Sequence, residues 1–226
     1  MDRNPFFLSF LILLLSFAIY KPVESQNIRG ALITGFNISQ VDGDEAFGYH
    51  KAGLQLGAAA IIQLDKKWSL SLENVFNQKG SWQRARFVDS LDGSYKLRFN
   101  YVEVPLMLHY TDKERITAGI GFSWGRLVSV EEYKNSFRVD STTLLDGPYK
   151  QNDWSVLFDL RFRLYKSLKM NIRYAYSIVP IATREVIDSK SGKPNLRDQY
   201  NNIVSIRLMY IFNEKLPVST APIISQ

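Results

Sequence analysis

The sequence predicts an all-β fold: a closed, antiparallel, eight-stranded transmembrane β-barrel preceded by a cleaved signal peptide. Three observations lead there. Residues 154–165 and 168–178 are two arms around a Lys166-Ser167 turn, and both alternate. In the first, Trp154, Val156, Phe158, Leu160, Phe162 and Leu164 share one face, opposite Asp159, Arg161 and Arg163; in the second, Leu168, Met170, Ile172, Tyr174, Tyr176 and Ile178 oppose Lys169, Asn171, Arg173, Ala175 and Ser177. Side chains on a strand point alternately to opposite sides, so large apolar groups face one way and guanidinium groups the other. That division suits lipid outside and a polar interior. Each arm is also about 11 residues, the length a tilted strand needs to cross a bilayer. Finally, the connections alternate long and short along the chain, the short ones at residues 65–67, 111–114 and 166–167, as expected of a barrel with tight turns at one end and long loops at the other.

The elements follow in order. The N-terminus is apolar from Pro5 to Tyr20, with Arg3 before it and Val23-Glu24-Ser25 after it. About 16 apolar residues are short for a spanning helix, so residues 1–25 read as a secretory signal peptide. The barrel is expected over residues 26–213, with a short tail over 214–226. A first strand covers residues 31–38, with Leu32, Thr34, Phe36 and Ile38 on one face. The second, about 51–64, places Leu54, Leu56, Ala58, Ala60, Ile62 and Leu64 together. The third starts at Trp68, with Leu70, Leu72 and Phe76 opposite Ser69, Ser71, Glu73, Val75 and Asn77.

The fourth strand, about 95–110, changes phase: Tyr95, Leu97, Phe99 and Tyr101 are odd, whereas Val102, Val104, Leu106, Leu108 and Tyr110 are even. Either a β-bulge near Tyr101 turns both sets to lipid, or the strand projects beyond the membrane and its upper half faces something else. Pro105 removes a ladder donor and marks local irregularity. The fifth strand sets Ile116, Ala118, Ile120, Phe122 and Trp124 against Thr117, Gly119, Gly121, Ser123 and Gly125. Residues 129–153 have no strong period. The two arms above are strands six and seven, residues 179–201 read as a long polar loop, and strand eight sets Val204, Ile206, Leu208, Tyr210 and Phe212 against Ser205, Arg207 and Met209. An even strand number puts both chain ends on one side, the periplasm if the membrane is the outer one. Trp68, Tyr110 and Tyr210 then fall at one interface and Trp124, Trp154 and Tyr176 at the other, as aromatic girdles should.

Composition agrees. Of 226 residues 46% are hydrophobic and 13% aromatic, and none is cysteine; disulfides, thiolate metal sites and a lipid anchor on an N-terminal cysteine are excluded. The net charge is +6, but Lys and Arg are dispersed without a basic stripe, which argues against nucleic acid.

Four segments carry a resemblance: Gly35-Phe36-Asn37-Ile38-Ser39, Gly48-Tyr49-His50-Lys51-Ala52-Gly53-Leu54, Glu73-Asn74-Val75-Phe76-Asn77-Gln78-Lys79-Gly80 and Asn100-Tyr101-Val102-Glu103-Val104-Pro105-Leu106. Together they resemble the PorT-type outer-membrane β-barrel family of Gram-negative bacteria, and the Tyr-x-Glu-x-Pro-Leu piece is the most specific. The resemblance implies an eight-stranded barrel in the outer membrane. It implies little about activity; a subset of the family is linked to type IX protein secretion, and no motif here marks that subset.

The interior face is expected to hold Glu73, Glu103, Asp159, Arg161, Arg163, Lys169, Arg173 and Arg207. Five bases facing three acids read either as a lumen site for an anionic ligand or as a salt-bridge network. Eight strands leave an interior that side chains just fill, and charges there are tolerable only if paired, so the network is the expectation. His109 should face inward, and Ser71 is its inward-facing serine candidate for a hydrolase or acyltransferase; a packed, hydrogen-bonded histidine is the simpler reading. No metal spacing, phosphate loop or cofactor motif is present. The expectation is a non-enzymatic outer-membrane barrel with a plugged polar lumen, a structural, adhesive or assembly subunit with the lipid bilayer and proteins at its outer loops as partners. A lipid-modifying enzyme or a small anion-preferring pore is the competitor.

Overall fold

A computed structural model describes residues 28–44, 46–85, 93–112, 115–187 and 194–214. The expected signal peptide lies outside the described residues, as does the tail beyond Glu214. The strands are β1 Ile28–Asp42, β2 Lys51–Gln63, β3 Trp68–Gln83, β4 Tyr95–Asp112, β5 Ile116–Lys134, β6 Phe137–Arg138, β7 Asn152–Tyr165, β8 Leu168–Ser177, β9 Ala182–Ile187 and β10 Pro194–Ile211. All pairings are antiparallel. Neighbours run β1-β2-β3-β4-β5-β7-β8-β10, and β10 pairs back onto β1, from Ala31↔Ile211 to Asp42↔Tyr200. The sheet is thus a closed ring of eight strands with no unpaired edge at membrane level. Among the described residues no helix is long and apolar enough to cross a membrane; the chain crosses with strands.

The alternation seen in the sequence is the alternation of the wall. Leu32, Phe36, Leu54, Leu56, Leu72, Leu106, Ile120, Phe122, Phe158, Leu160, Ile206 and Leu208 are exposed on the outer surface, a continuous apolar band that a soluble domain would have to hide. Trp68, Tyr110 and Tyr210 stand at the short-turn end and Trp124 and Trp154 towards the long-loop end, all exposed. The Lys166-Ser167 turn is as tight as expected, with Lys166 at a φ of 39°.

The strands reach further than the sequence suggested. The polar loop expected at 179–201 is largely a β-hairpin, since β9 pairs with the first part of β10 from Ala182↔Gln199 to Ile187↔Pro194. The aperiodic stretch after Ser129 begins as the end of β5. The phase change expected in β4 is resolved differently: β4 keeps one parity throughout, with Leu97, Phe99, Tyr101, Glu103, Met107 and His109 all buried inside. The bulge sits on its neighbour, where Asn100 pairs with Ser129 but Tyr101 with Leu127, skipping Val128. Both sets therefore do not face lipid. The strand projects beyond the band, and its upper half turns apolar side chains inward. Pro105 leaves the β4–β5 register intact, while the β3–β4 ladder is interrupted around it, between Leu72↔Leu106 and Val75↔Glu103.

That upper half carries a cap. Val41, Leu97, Phe99, Tyr101, Leu127, Val130, Tyr149, Ile181 and Ala182 form one buried apolar cluster over the long-loop end of the lumen. Phe99 packs edge-on against Tyr149, centroids 4.7 Å apart.

Candidate functional site

Inward positions of the strands supply the lumen, and they arrange it in layers. The lower ionic cluster gathers Glu73 from β3, Asp159 and Arg161 from β7, Arg173 from β8 and Arg207 from β10. Arg173 holds Glu73 with both arms of its fork, 2.9 Å to each carboxylate oxygen, and reaches Asp159 Oδ2 at 2.7 Å. Arg161 donates to Glu73 at 3.3 Å and to Asp159 at 3.4 Å, and Arg207 lies 3.1 Å from Glu73 and 3.7 Å from Asp159. A planar guanidinium with several fixed donors is the group that can bridge two carboxylates this way. Asn171 accepts from Arg207 Nε at 2.7 Å. A side chain at Gly35 would collide with Arg207, whose Cγ lies 3.0 Å from where a Cβ would stand.

Above it lies an apolar layer drawn from four strands, Met107, Leu157, Ala175 and Ile203. Above that comes a second ionic cluster around Lys79, which is 1% exposed. Lys79 donates to Asp153 at 2.9 Å and pairs with Glu103, and its Nζ stands 4.6 Å from the centre of the Tyr101 ring. Ser177 and Asn201 donate to Asp153 at 2.7 and 2.9 Å, and Asn77 donates to Glu103 at 3.0 Å. The cap closes over this layer. Within it Glu132, fully buried, accepts from Arg184 at 2.9 Å and from the Thr142 hydroxyl, and Arg184 also donates to the Tyr149 hydroxyl. Burial, with the Glu132 carboxylate adding to it, pushes the Tyr149 hydroxyl up to about 12.

The sequence-derived set is thus split three ways. Glu73, Asp159, Arg161, Arg173 and Arg207 come together. Glu103 sits apart, and its cation is Lys79 rather than an arginine. Arg163 and Lys169 do not join either cluster: at the short-turn mouth they hold Glu214, at 3.1 and 2.8 Å, with Arg29 at 3.7 Å. The excess of bases is confined to the mouth, where Arg29, Arg163 and Lys169 share one carboxylate. Across the two clusters the cations Arg161, Arg173, Arg207 and Lys79 face the carboxylates Glu73, Asp159, Glu103 and Asp153, charge for charge. Lys79 and Asp153 were missed because the inward face of the third strand was followed only to Asn77 and the sixth strand was begun at Trp154, whereas β7 starts at Asn152. The apolar layer was visible as large side chains at inward parity, Met107 and Leu157 among them.

His109 has a triad-like setting. Ser71 Oγ lies 2.9 Å from His109 Nε2, and His109 Nδ1 lies 3.4 Å from Asp159 Oδ1. Gly119, between the two in register, makes their approach feasible, because a Cβ there would stand 2.3 Å from His109 Nδ1 and 2.4 Å from Asp159 Oδ1. The geometry is that of a nucleophile, base and orienting acid, but Ser71 and His109 are both 0% exposed. Among the described residues no group of three His, Cys, Asp or Glu side chains is placed to hold a metal ion.

Comparison with known proteins bears on the fold. A family described as "Outer membrane protein beta-barrel domain" matches residues 25–182. No curated protein matches by sequence. Among solved structures, the chain is similar to Neisserial surface protein A (NspA), at 8% identity and a TM-score of 0.50, covering 80% of this chain and 96% of that one. It is also similar to Ail, the attachment invasion locus protein of Yersinia pestis, in complex with the heparin analogue sucrose octasulfate, at 12% identity and a TM-score of 0.45, covering 82% and 99%. The outer membrane protease OmpT from Escherichia coli matches at 10% identity and a TM-score of 0.35, covering 85% and 99%. At these identities the likeness concerns the fold alone.

Proposed function

We propose a function from family membership: the chain belongs to the outer membrane protein beta-barrel domain family, and within that family it acts as a closed, non-enzymatic barrel that works through its long-loop end. The observation that carries this is the layering of the lumen. Two ionic clusters that balance one another's charge, an apolar cluster between them on β4, β7, β8 and β10 and an apolar cap support a closed lumen, since apolar constrictions of this kind exclude water. The four cations of the two clusters are matched by four carboxylates, which argues against an anion-preferring pore; the surplus bases Arg29, Arg163 and Lys169 gather on Glu214 at the mouth.

With the interior closed, what remains to act is the surface beyond the band. Phe47, Phe137, Leu145 and Leu196 are 82%, 76%, 80% and 70% exposed there, large apolar side chains on the long-loop side that suit contact with another protein. The proposed orientation puts this end outside the cell and both chain termini in the periplasm. The role is then structural, adhesive or that of an assembly subunit. The Tyr101-Val102-Glu103-Val104-Pro105-Leu106 segment supports a place in the PorT-type branch, a subset of which is linked to protein secretion. A photo-crosslinking amino acid at Phe47, Leu145 or Leu196 in cells should give discrete adducts with one partner; adducts only from positions in the short turns would overturn the reading.

A second reading has one observation in its favour, the Ser71–His109–Asp159 geometry. It requires an opening to Ser71. Labelling of Ser71 by a fluorophosphonate in the folded protein would support an enzyme; an unlabelled protein supports the closed barrel.

A further inference from the structure

At the short-turn end the lipid-facing wall opens between β5 and β7. The last pair is Ile116↔Phe162, followed by one more bond from the Arg163 N–H to the Arg115 carbonyl at 3.1 Å, and Leu164 and Tyr165 run on beyond it. The β7–β8 register also shifts between Arg163 and Tyr165. The result is an open groove of about 630 Å³, walled by Ile116, Phe162 and Leu164 and rimmed by Arg115 and Lys166. Arg163 borders it but is engaged by Glu214 at 3.1 Å. Arg115 and Lys166 have no acidic partner among the described residues, and Lys166 Nζ lies 5.1 Å from the centre of the Tyr165 ring.

Cations above an apolar trough, at the edge of a lipid-facing band, match a molecule with an anionic head and an apolar chain. Among the described residues the rim is net positive: Lys66, Lys67, Arg115 and Lys166 are exposed here, against exposed Asp65 and Asp112. Long basic side chains can lay their stems on apolar surface and keep the charge at the headgroup level.

We propose that this groove seats an anionic glycerophospholipid of the surrounding bilayer, its phosphate between Arg115 and Lys166 and one acyl chain along Ile116, Phe162 and Leu164. The proposal rests on the barrel's place in a membrane and not on the closed lumen or the orientation, so it fails or stands apart from them. Each juxtamembrane cation is worth roughly a fivefold preference for an anionic headgroup.

The full-length barrel, folded in zwitterionic micelles, is titrated with phosphatidylglycerol or with phosphatidylcholine of the same acyl chains, and bound lipid is counted by native mass spectrometry. Phosphatidylglycerol should be retained over phosphatidylcholine, the double variant Arg115→Gln, Lys166→Gln should lose that preference by tenfold or more, and millimolar inorganic phosphate should not displace the lipid. Equal retention of the two lipids, or an unchanged preference in the double variant, overturns the proposal. So does displacement by inorganic phosphate, which would assign the rim to soluble anions. Should the double variant fail to fold, salt decides with the unmutated protein: a preference that falls as salt rises supports the site, because screened charges let go, and one indifferent to salt refutes it.

Discussion

Along β4 the molecule follows one rule below Tyr101 and the opposite rule above it. Below, Val102, Val104, Leu106 and Leu108 face outward while Glu103 and His109 face the interior; above, Lys96, Arg98 and Asn100 face outward while Leu97, Phe99 and Tyr101 are buried. Parity does not change; polarity does. The lower half has lipid for a solvent and hides its ions. The upper half has water for a solvent and hides its hydrocarbon, as any soluble domain does. The crossover marks the long-loop edge of the apolar band more sharply than any loop boundary. It also explains why the interior is held by two kinds of energy, ion pairing below and apolar packing in the cap.

Variants can break that contrast. The largest effect is expected in the lower cluster. Arg173→Leu leaves Glu73 without its bidentate partner and Asp159 short of a donor, and breaking a buried pair costs about 3–5 kcal/mol. Urea unfolding from lipid vesicles, followed by tryptophan fluorescence, should show it; a midpoint unchanged from the unmutated protein would mean that the cluster is not a buried network.

Next comes the outer face of β4 itself. Leu106→Arg puts a guanidinium into lipid and should cost about 2–4 kcal/mol. Asn100→Arg, on the same face of the same strand above the crossover, should stay within about 0.5 kcal/mol. Equal costs would erase the crossover.

Glu103→Gln should be milder than Arg173→Leu. Lys79 keeps Asp153 at 2.9 Å, and the new amide can still accept from Asn77, so a loss of about 1–3 kcal/mol is expected from one degraded buried hydrogen bond. A cost as large as that of Arg173→Leu would show that the two ionic layers are coupled across Met107 and Leu157.

The smallest effect belongs to the cap. Ile181→Val should cost about 0.5–1.5 kcal/mol, felt as faster proteolysis of the β9–β10 hairpin with no change in the unfolding of the barrel below. A shift in the global unfolding midpoint would mean that cap and barrel melt as one unit.

These contrasts also show what the sequence could carry. In the membrane band one face of each strand is mostly apolar, broken at few positions such as Thr34 and Asn74, so a period of two reads off the chain directly, and the inward positions of Glu73, Asp159, Arg161, Arg173 and Arg207 followed. Above the band the same parity carries the opposite polarity, which imitated a bulge at Tyr101 and hid the true one at Val128. Partner choice was not legible at all. Parity says that Glu103 and Arg163 point inward, but not that height along the barrel gives Glu103 to Lys79 and Arg163 to Glu214. The Ser71–His109 proximity was legible, because both sit inward near the short-turn ends of adjacent strands; the contact with Asp159 depended on the missing side chain of Gly119.

The proposed closure of the layered interior can be read from its conductance, by single-channel recording of the purified, unmutated barrel in a planar bilayer. No steady conductance should be seen in either polarity if the Met107–Leu157–Ala175–Ile203 cluster and the cap close the lumen as proposed. A steady, reproducible current, above all one selective for anions, would contradict the account and return the arginines to the lining of a pore.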